Sequence, residues 1–288
     1  MADPDKEELK ARVRAHWDEE PCGTRGLEGD ALREGFRQQE AERYQQEPHI
    51  PDFADFAAAR GLRVLEIGVG AGTDFVQWLR SGADTWGIDL SPNSLGLTAR
   101  RVAAEGFTLA EGRLQIADAE RLPFADASFD LVYSYGVIHH SPDTPAAIAE
   151  IHRVLRPGGE ARVMIYHVPS LGGFMLWGVH ALARGRPFVR PRQVIYDHLE
   201  SPGTKAYTVD EARRLFAAFD DVRIETALLS GDLLTMRPSA RYRGALAQVI
   251  WRLYPRPLIR RFGARLGTGL LVRARKRPAG RGASGEGA

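Results

Sequence analysis

The stretch Val64–Asp74, VLEIGVGAGTD, joins a β-type apolar run to three glycines at alternate positions, Gly68, Gly70 and Gly72. A turn without side chains between a strand and a helix lets a ligand reach the main chain, with the N–H groups of the helix start facing it. The glycine spacing is G-x-G-x-G, whereas a dinucleotide fingerprint needs G-x-G-x-x-G. Glu66 stands in the strand just before the turn. A carboxylate there repels a pyrophosphate and attracts a cationic, amino-acid-like group. Taken alone, the motif leaves a dinucleotide, a nucleoside and a simple tight turn all open.

Outward from this turn, β-rich runs alternate with helical patterns at the spacing of βαβ units, which predicts a mostly parallel sheet with helices on both faces. The strands read as RVLEI, DTWGIDL, RLQIA, SFDLVYSYG, EARVMIYH, DVRIETALL and GTGLLVRARK. Between them, TDFVQWLRSG starts at Thr73 or Asp74 and ends at Gly82, and SPNSLGLTARRVAAEG opens with a serine cap and a proline. TPAAIAEIHRVL runs into a turn, RPGG, and TVDEARRLFAAF carries a capping box from Thr208 to Glu211. Two segments interrupt the alternation, residues 168–206, rich in glycine, proline and aromatics, and the basic residues 231–266. Residues 278–288 have nothing to bury and read as a disordered tail.

With 288 residues the chain can form one large α/β domain with elaborations. It has no run of about 18 apolar residues and no secretory order in its charged opening, so a soluble protein is expected. Its one cysteine, Cys22, precludes an internal disulfide and points to the cytoplasm. No acid lies between Leu233 and Gly285, and the resulting basic segment, 237–265 in its densest part, could face nucleic acid, an anionic membrane or an acidic partner. A solvated arginine face is the plainer reading, and nucleic acid is not expected. No paired CxxC or HxxxH spacing suggests a metal.

The second strand closes with Asp89, where an acid can accept from both hydroxyls of a ribose. The third closes with Asp118 and Ala119, whose carboxylate and amide can meet the amino group and a ring nitrogen of adenine. Acids at or near three successive strand ends imply a nucleoside with a positive end and no phosphates. Each acid taken singly could equally cap its loop.

VLEIGVGAGTD, GIDLSP, ADAERLPFADASFDLVYSYGVIHHSPD and EIHRVLRPGGEARVMI together resemble the successive motifs of class I S-adenosylmethionine-dependent methyltransferases, in the branch of the ubiquinone and menaquinone biosynthesis enzymes. The resemblance spans residues 61 to 167 and the C-terminal helix and strand pair. It implies a Rossmann-like α/β fold whose seven-stranded, mostly parallel sheet has the order 3-2-1-4-5-7-6, with the last strand antiparallel and insertions after strands 5 and 6. S-adenosyl-L-methionine would lie across the carboxyl ends of the first strands. Gly68, Gly70 and Gly72 would face its methionine portion, near Glu66 and Asp74. Asp89 would hold the ribose, Leu90 would pack on the adenine, and Asp118 and Ala119 would read it. The backbone at Tyr135 and Gly136 would meet the amino-acid end. Residues 1–60 would form an N-terminal helical lid offering Arg43 and Tyr44, and residues 61–277 the methyltransferase domain, with 168–206 and 231–266 capping the acceptor.

Methyl transfer from a sulfonium is an in-line displacement, so such an enzyme mainly aligns donor and acceptor. A base is needed only where the acceptor must lose a proton. His139 and His140, after the fourth strand, and Tyr166, at the end of the fifth beside His167, face the mouth where the methyl group would lie, and are the catalytic candidates. Cys22 reads as a loop or lid contact. Phe174, Met175, Trp177, Phe188 and Tyr196 could roof an apolar pocket. VIWRLYPRPLIRRFG mixes apolar and arginine residues as a membrane-surface helix does, but Pro255 and Pro257 break it. The expected function is methylation of an O, C or N atom of a small, aromatic or apolar metabolite. A nicotinamide-dependent reductase and a non-catalytic S-adenosylmethionine-binding sensor or partner protein are the alternatives.

Overall fold

The structure, a computed structural model, describes residues 4–19, 32–235 and 252–278. Cys22, the tail beyond residue 278 and residues 236–251 of the basic segment lie outside the described residues.

Strands β1 (Arg63–Ile67), β2 (Asp84–Asp89), β3 (Leu114–Ile116), β4 (Phe129–Tyr135) and β5 (Leu155–His167) pair in parallel in the spatial order β3-β2-β1-β4-β5. A two-residue strand, β6 (Ala206–Tyr207), pairs in parallel with Tyr166 and His167 at the end of β5. β7 (Asp220–Ala227) and β8 (Gly269–Arg275) complete the sheet, with β8 antiparallel between β5 and β7. The expected order 3-2-1-4-5-7-6 with an antiparallel last strand is present, and β6 makes eight strands among the described residues. Two residues carry no readable period, which is why β6 has no sequence signal. The RPGG turn is drawn into β5, because Gly158 donates its N–H to the Lys276 carbonyl and the Lys276 N–H bonds to Gly159.

The helices are α1 (Pro4–Glu19), α2 (Leu32–Gln46), α3 (His49–Ala54), α4 (Thr73–Ser81), α5 (Pro92–Ala104), α6 (Thr144–Val154), α7 (Leu171–His180), α8 (Pro191–His198), α9 (Val209–Leu215) and α10 (Arg256–Phe262). Residues 168–206 thus contain α7 and α8. Successive strand residues point to opposite faces, and two cores result. Leu65, Ile67, Val132, Val163, Ile165 and Val272 pack with Ile148 and Ile151 of α6 and Ala212 of α9. Val64, Leu131, Tyr133, Met164 and Leu271 pack on the other face with Trp78 of α4 and Phe53 of α3. Each such large apolar side chain contributes roughly 1.5–3 kcal/mol on burial.

Polar groups tie the flanking segments to this sheet. The helix expected to start at Thr73 or Asp74 is N-capped by Gly72 (φ 74°), which frees Asp74 in its first turn. Buried Asp74 accepts from Arg43 (2.8 and 3.3 Å), Tyr44 (2.9 Å) and Tyr133 (3.0 Å), which docks α2 on α4. Fully buried Arg101 of α5 donates to the Phe36 carbonyl (2.6 Å) and to Gln39 (2.5 Å) of α2, and to Thr73 (2.8 Å). In β1, Glu66 accepts from the Trp78 indole at 2.9 Å, and burial, reinforced by the Asp74 charge, pushes its carboxyl well above its usual range. Asp232, fully buried, accepts from the N–H groups of Gly172, Leu229 and Thr268 and from the Thr268 hydroxyl at 2.6–2.9 Å, joining α7 to the facing ends of β7 and β8.

Two stability predictions follow from these groups. Asp232→Ala leaves two buried N–H groups, of Leu229 and Thr268, and the part-buried Gly172 N–H without their acceptor, so denaturant unfolding is expected to show a loss of about 3 kcal/mol; a loss below about 1 kcal/mol contradicts the clamp. Glu66 is protonated more readily folded than unfolded, so its contribution to stability falls as pH rises from its ordinary 4.5 toward the raised native value. Glu66→Gln removes that decline, and the stability of wild type minus variant is expected to decrease between acid and neutral pH. A pH-independent difference in urea midpoints would mean that Glu66 titrates normally.

Candidate functional site

The carboxyl ends of β1 to β4 form one edge, and the glycine turn after β1 lies at its centre. Gly68 (φ 78°) and Gly72 (φ 74°) are required by packing, since a Cβ would come within 2.3 Å of Val137 and 2.9 Å of Thr98. A Cβ on half-buried Gly70 (φ 53°) would have no heavy atom within 4 Å, so packing does not close over the main chain there. Asp89, at the end of β2, accepts from the N–H of Gly70 (3.0 Å) and of Ser91 (2.9 Å), one on each carboxylate oxygen. Each oxygen keeps a second lone pair, enough for two ribose hydroxyls. Burial raises the Asp89 carboxyl, opposed by its backbone N–H donors. Leu90 and Ala119 are half-buried beside the acids they follow.

Asp118 is already partnered. Its Oδ2 lies 2.7 Å from Lys10 of α1, which also reaches Glu120 at 2.8 Å. Although burial opposes it, these two acids raise the Lys10 ammonium above its ordinary value. The rest of α1 follows the same edge. Lys6 pairs with Asp143 (2.7 Å), the cap of α6; Asp18 accepts from Ser91 (2.7 Å) and the Asn93 N–H (3.1 Å) at the start of α5. Trp17 packs edge-on to His140, ring centroids 5.2 Å apart. Lys6, Lys10, Val13 and Trp17 are spaced four, three and four residues apart, one helical stripe, and that spacing is the signal that could have identified α1 as the covering helix.

Tyr44 and Asp74 are brought together, but with each other and Arg43 as partners, so they fix α2 in place. The Tyr135 hydroxyl donates to Glu47 (3.0 Å) and meets Nε2 of His49 (2.7 Å), which links the end of β4 to the α2–α3 junction. At the end of β4 and β5, His139 and His140 adjoin (centroids 4.2 Å), and the His139 ring lies 4.1 Å from that of Tyr166. His139 is 0% exposed. Burial, with His140 and Lys205 nearby, holds its imidazole well below the usual value, hence neutral. His140 Nδ1 contacts Ser201 (2.8 Å) and Thr204 (3.0 Å), and Nε2 lies 3.4 Å from Glu200. Glu200, Ser201 and Thr204 stand some sixty residues from the histidines along the chain and give no linear signal. His167 bonds the Gly267 carbonyl at 2.9 Å and is a structural contact.

A family model described as a methyltransferase domain matches residues 65–163. An uncharacterised protein of Mycobacterium tuberculosis is 38% identical over 116 residues, 40% of this chain and 41% of that protein. Malonyl-(acyl-carrier protein) O-methyltransferase of Serratia marcescens is 35% identical over 99 residues, 34% of this chain and 36% of that enzyme. The chain spans about two fifths of the length of these curated relatives. Among solved structures, phosphoethanolamine N-methyltransferase 2 of Haemonchus contortus, in complex with phosphomonomethylethanolamine and S-adenosylhomocysteine, superposes with a TM-score of 0.55 at 20% identity, covering 93% of this chain and 60% of that one. A Thermotoga maritima S-adenosylmethionine-dependent methyltransferase gives 0.51 at 18%, covering 92% and 100%. The solved structures share the fold of this chain, and residues 65–163 match a methyltransferase domain.

Proposed function

We propose that the protein transfers the methyl group of S-adenosylmethionine to a small acceptor that enters between the ends of β4 and β5. The observation that supports this reading is Asp89 bonded to the Gly70 N–H at the open turn, an acid able to accept from ribose hydroxyls beside a glycine whose missing Cβ would meet no neighbour. The cofactor's positive methionine end then lies toward Glu66 and Tyr135, and its adenine toward Leu90, Asp118 and Ala119. The glycine spacing G-x-G-x-G departs from the dinucleotide fingerprint, which disfavours a nicotinamide cofactor. The sulfonium is already activated, so the chain's task is alignment and exclusion of water.

His139, His140 and Tyr166 are the groups that meet the acceptor, and within the N-terminal lid, residues 1–60, α1 is the part that opens while α2 stays fixed to the sheet through Asp74. The relatives' names include both an O- and an N-methyltransferase, so they do not select the atom. A small aromatic or apolar acceptor fits the exposed Phe174, Phe188 and Tyr196 of the segment after β5. On α10, exposed Leu258 and Phe262 beside Arg260 and Arg261 support contact with an apolar acceptor or an anionic membrane surface. The single cysteine suits the cytoplasm. Among the described residues no helix is long and apolar enough to cross a membrane.

Calorimetry is expected to show binding of S-adenosylmethionine and S-adenosylhomocysteine, weakened about 10- to 100-fold in Asp89→Ala through loss of charge-assisted hydrogen bonds. Equal binding in that variant would overturn the site, and labelled donor that marks nothing in an extract of the source cells would favour a sensor. Lys10 stands against the Asp118 carboxylate that the adenine amino group would approach, so Lys10→Ala is expected to tighten cofactor binding by about fivefold. Weaker binding in this variant would show that α1 closes over bound cofactor instead of competing with it.

A further inference from the structure

The acceptor end contains an arrangement that methyl transfer alone does not require. His139, His140 and Glu200 each offer one ligand-type atom, and these atoms lie within 4.8 Å of one another. The turn after β4 supplies both histidines; the loop between α8 and β6 supplies Glu200, at a left-handed φ of 55° that a non-glycine residue adopts at a cost.

On its Nδ1 side His140 meets the Ser201 hydroxyl (2.8 Å) and the Thr204 hydroxyl (3.0 Å). Its Nε2 faces a Glu200 carboxylate oxygen at 3.4 Å and, like both ring nitrogens of His139, is buried without a hydrogen-bond partner among the described residues. A single proton between His140 and Glu200 would satisfy that pair only and leave His139 unmatched. A divalent cation satisfies all three side chains together.

We propose that His139, His140 and Glu200 bind a divalent first-row transition cation beside the methyl-transfer site. Two histidines and one glutamate are the donor set of catalytic zinc sites that keep a position open for a further ligand. Ser201 and Thr204 supply the outer hydrogen bonds that hold a ligating imidazole in its tautomer. Ligands around zinc at about 2.0–2.2 Å lie roughly 3–3.5 Å apart, so binding draws the three groups in by about 1 Å. Glu200, with a side chain 41% exposed, has room for that movement. Trp17 of α1 covers His140, and Leu9 of α1 packs near Gly203 of the same loop, so the ion and the acceptor enter when α1 lifts.

The site itself is independent of the proposed methyl transfer, but its role rests on that reading and narrows the acceptor to one with an oxygen nucleophile. A hydroxyl on the open position is acidified and releases its proton to water. Its oxygen lone pair then forms the O–CH₃ bond while the S–CH₃ bond breaks, the electron pair remaining on sulfur as S-adenosylhomocysteine.

The test uses the untagged full chain, stripped with a chelator, titrated with Co²⁺ followed by visible absorption and with Zn²⁺ by calorimetry, with S-adenosylhomocysteine binding measured in parallel. One equivalent of metal is expected. Glu200→Gln and His139→Asn are each expected to weaken it at least about 100-fold and Ser201→Ala about tenfold, with nucleoside binding kept. Asp89→Ala is expected to leave metal affinity unchanged. No saturable binding by the wild type, or affinity unchanged in Glu200→Gln, would overturn the cation site whatever the nucleoside result. Metal binding without S-adenosylhomocysteine binding would instead overturn the methyl-transfer reading and leave the cation site standing.

Discussion

Asp74 carries a charge in a place where water cannot reach it, and three side chains from two other elements keep it there: Arg43 and Tyr44 from α2 and Tyr133 from β4. Removing one partner of such a pair costs far more than forming it gains, because the other is left buried and unmatched. Asp74 is in the first turn of α4, immediately after the glycines, so whatever fixes Asp74 fixes the turn. From the turn, Gly70 reaches Asp89, and Arg101 reaches both α2 and Thr73. The main chain at Gly70 therefore keeps its position through a buried polar network anchored outside the sheet.

The sequence showed clearly those parts whose physics is periodic. Strands alternate with amphipathic helices, and that alternation gives parallel pairing with helices on both faces; the sheet order came from the resemblance to class I methyltransferases, not from periodicity. Where an element is too short to show a period, as in β6, or where pairing with a distant strand captures a turn, as Lys276 does to Gly158 and Gly159, tertiary contact decides and the sequence is silent. The candidate site divides in the same way. The acids at the strand ends were legible because strand ends are. The partners of Asp74 were not, since an arginine and a tyrosine on a charged helix look the same whether they face solvent or a buried carboxylate. Glu200 was least legible of all. Linear metal motifs hold ligands a few residues apart, whereas this one brings together two turns separated by an entire βαβ crossover and two further helices.

The two long N-terminal helices are attached by different physics, and the difference assigns their roles. α2 contributes Phe36 to the interior and places Arg43 against a carboxylate that is only 4% exposed, so lifting it would strand charge in a low dielectric. α1 buries Val13 alone among its apolar side chains and otherwise holds the edge through Lys6, Lys10 and Asp18. Exposed pairs such as Lys6 with Asp143 contribute roughly 0–1 kcal/mol and are readily exchanged for water. A helix so attached can leave and return without disturbing the sheet beneath it. Its contacts at Asp118, Ser91 and His140 span the ground proposed for the adenine, the ribose side and the acceptor. On that proposal α1 is the helix that opens, while the glycine turn stays still because Asp74 secures it from the opposite end.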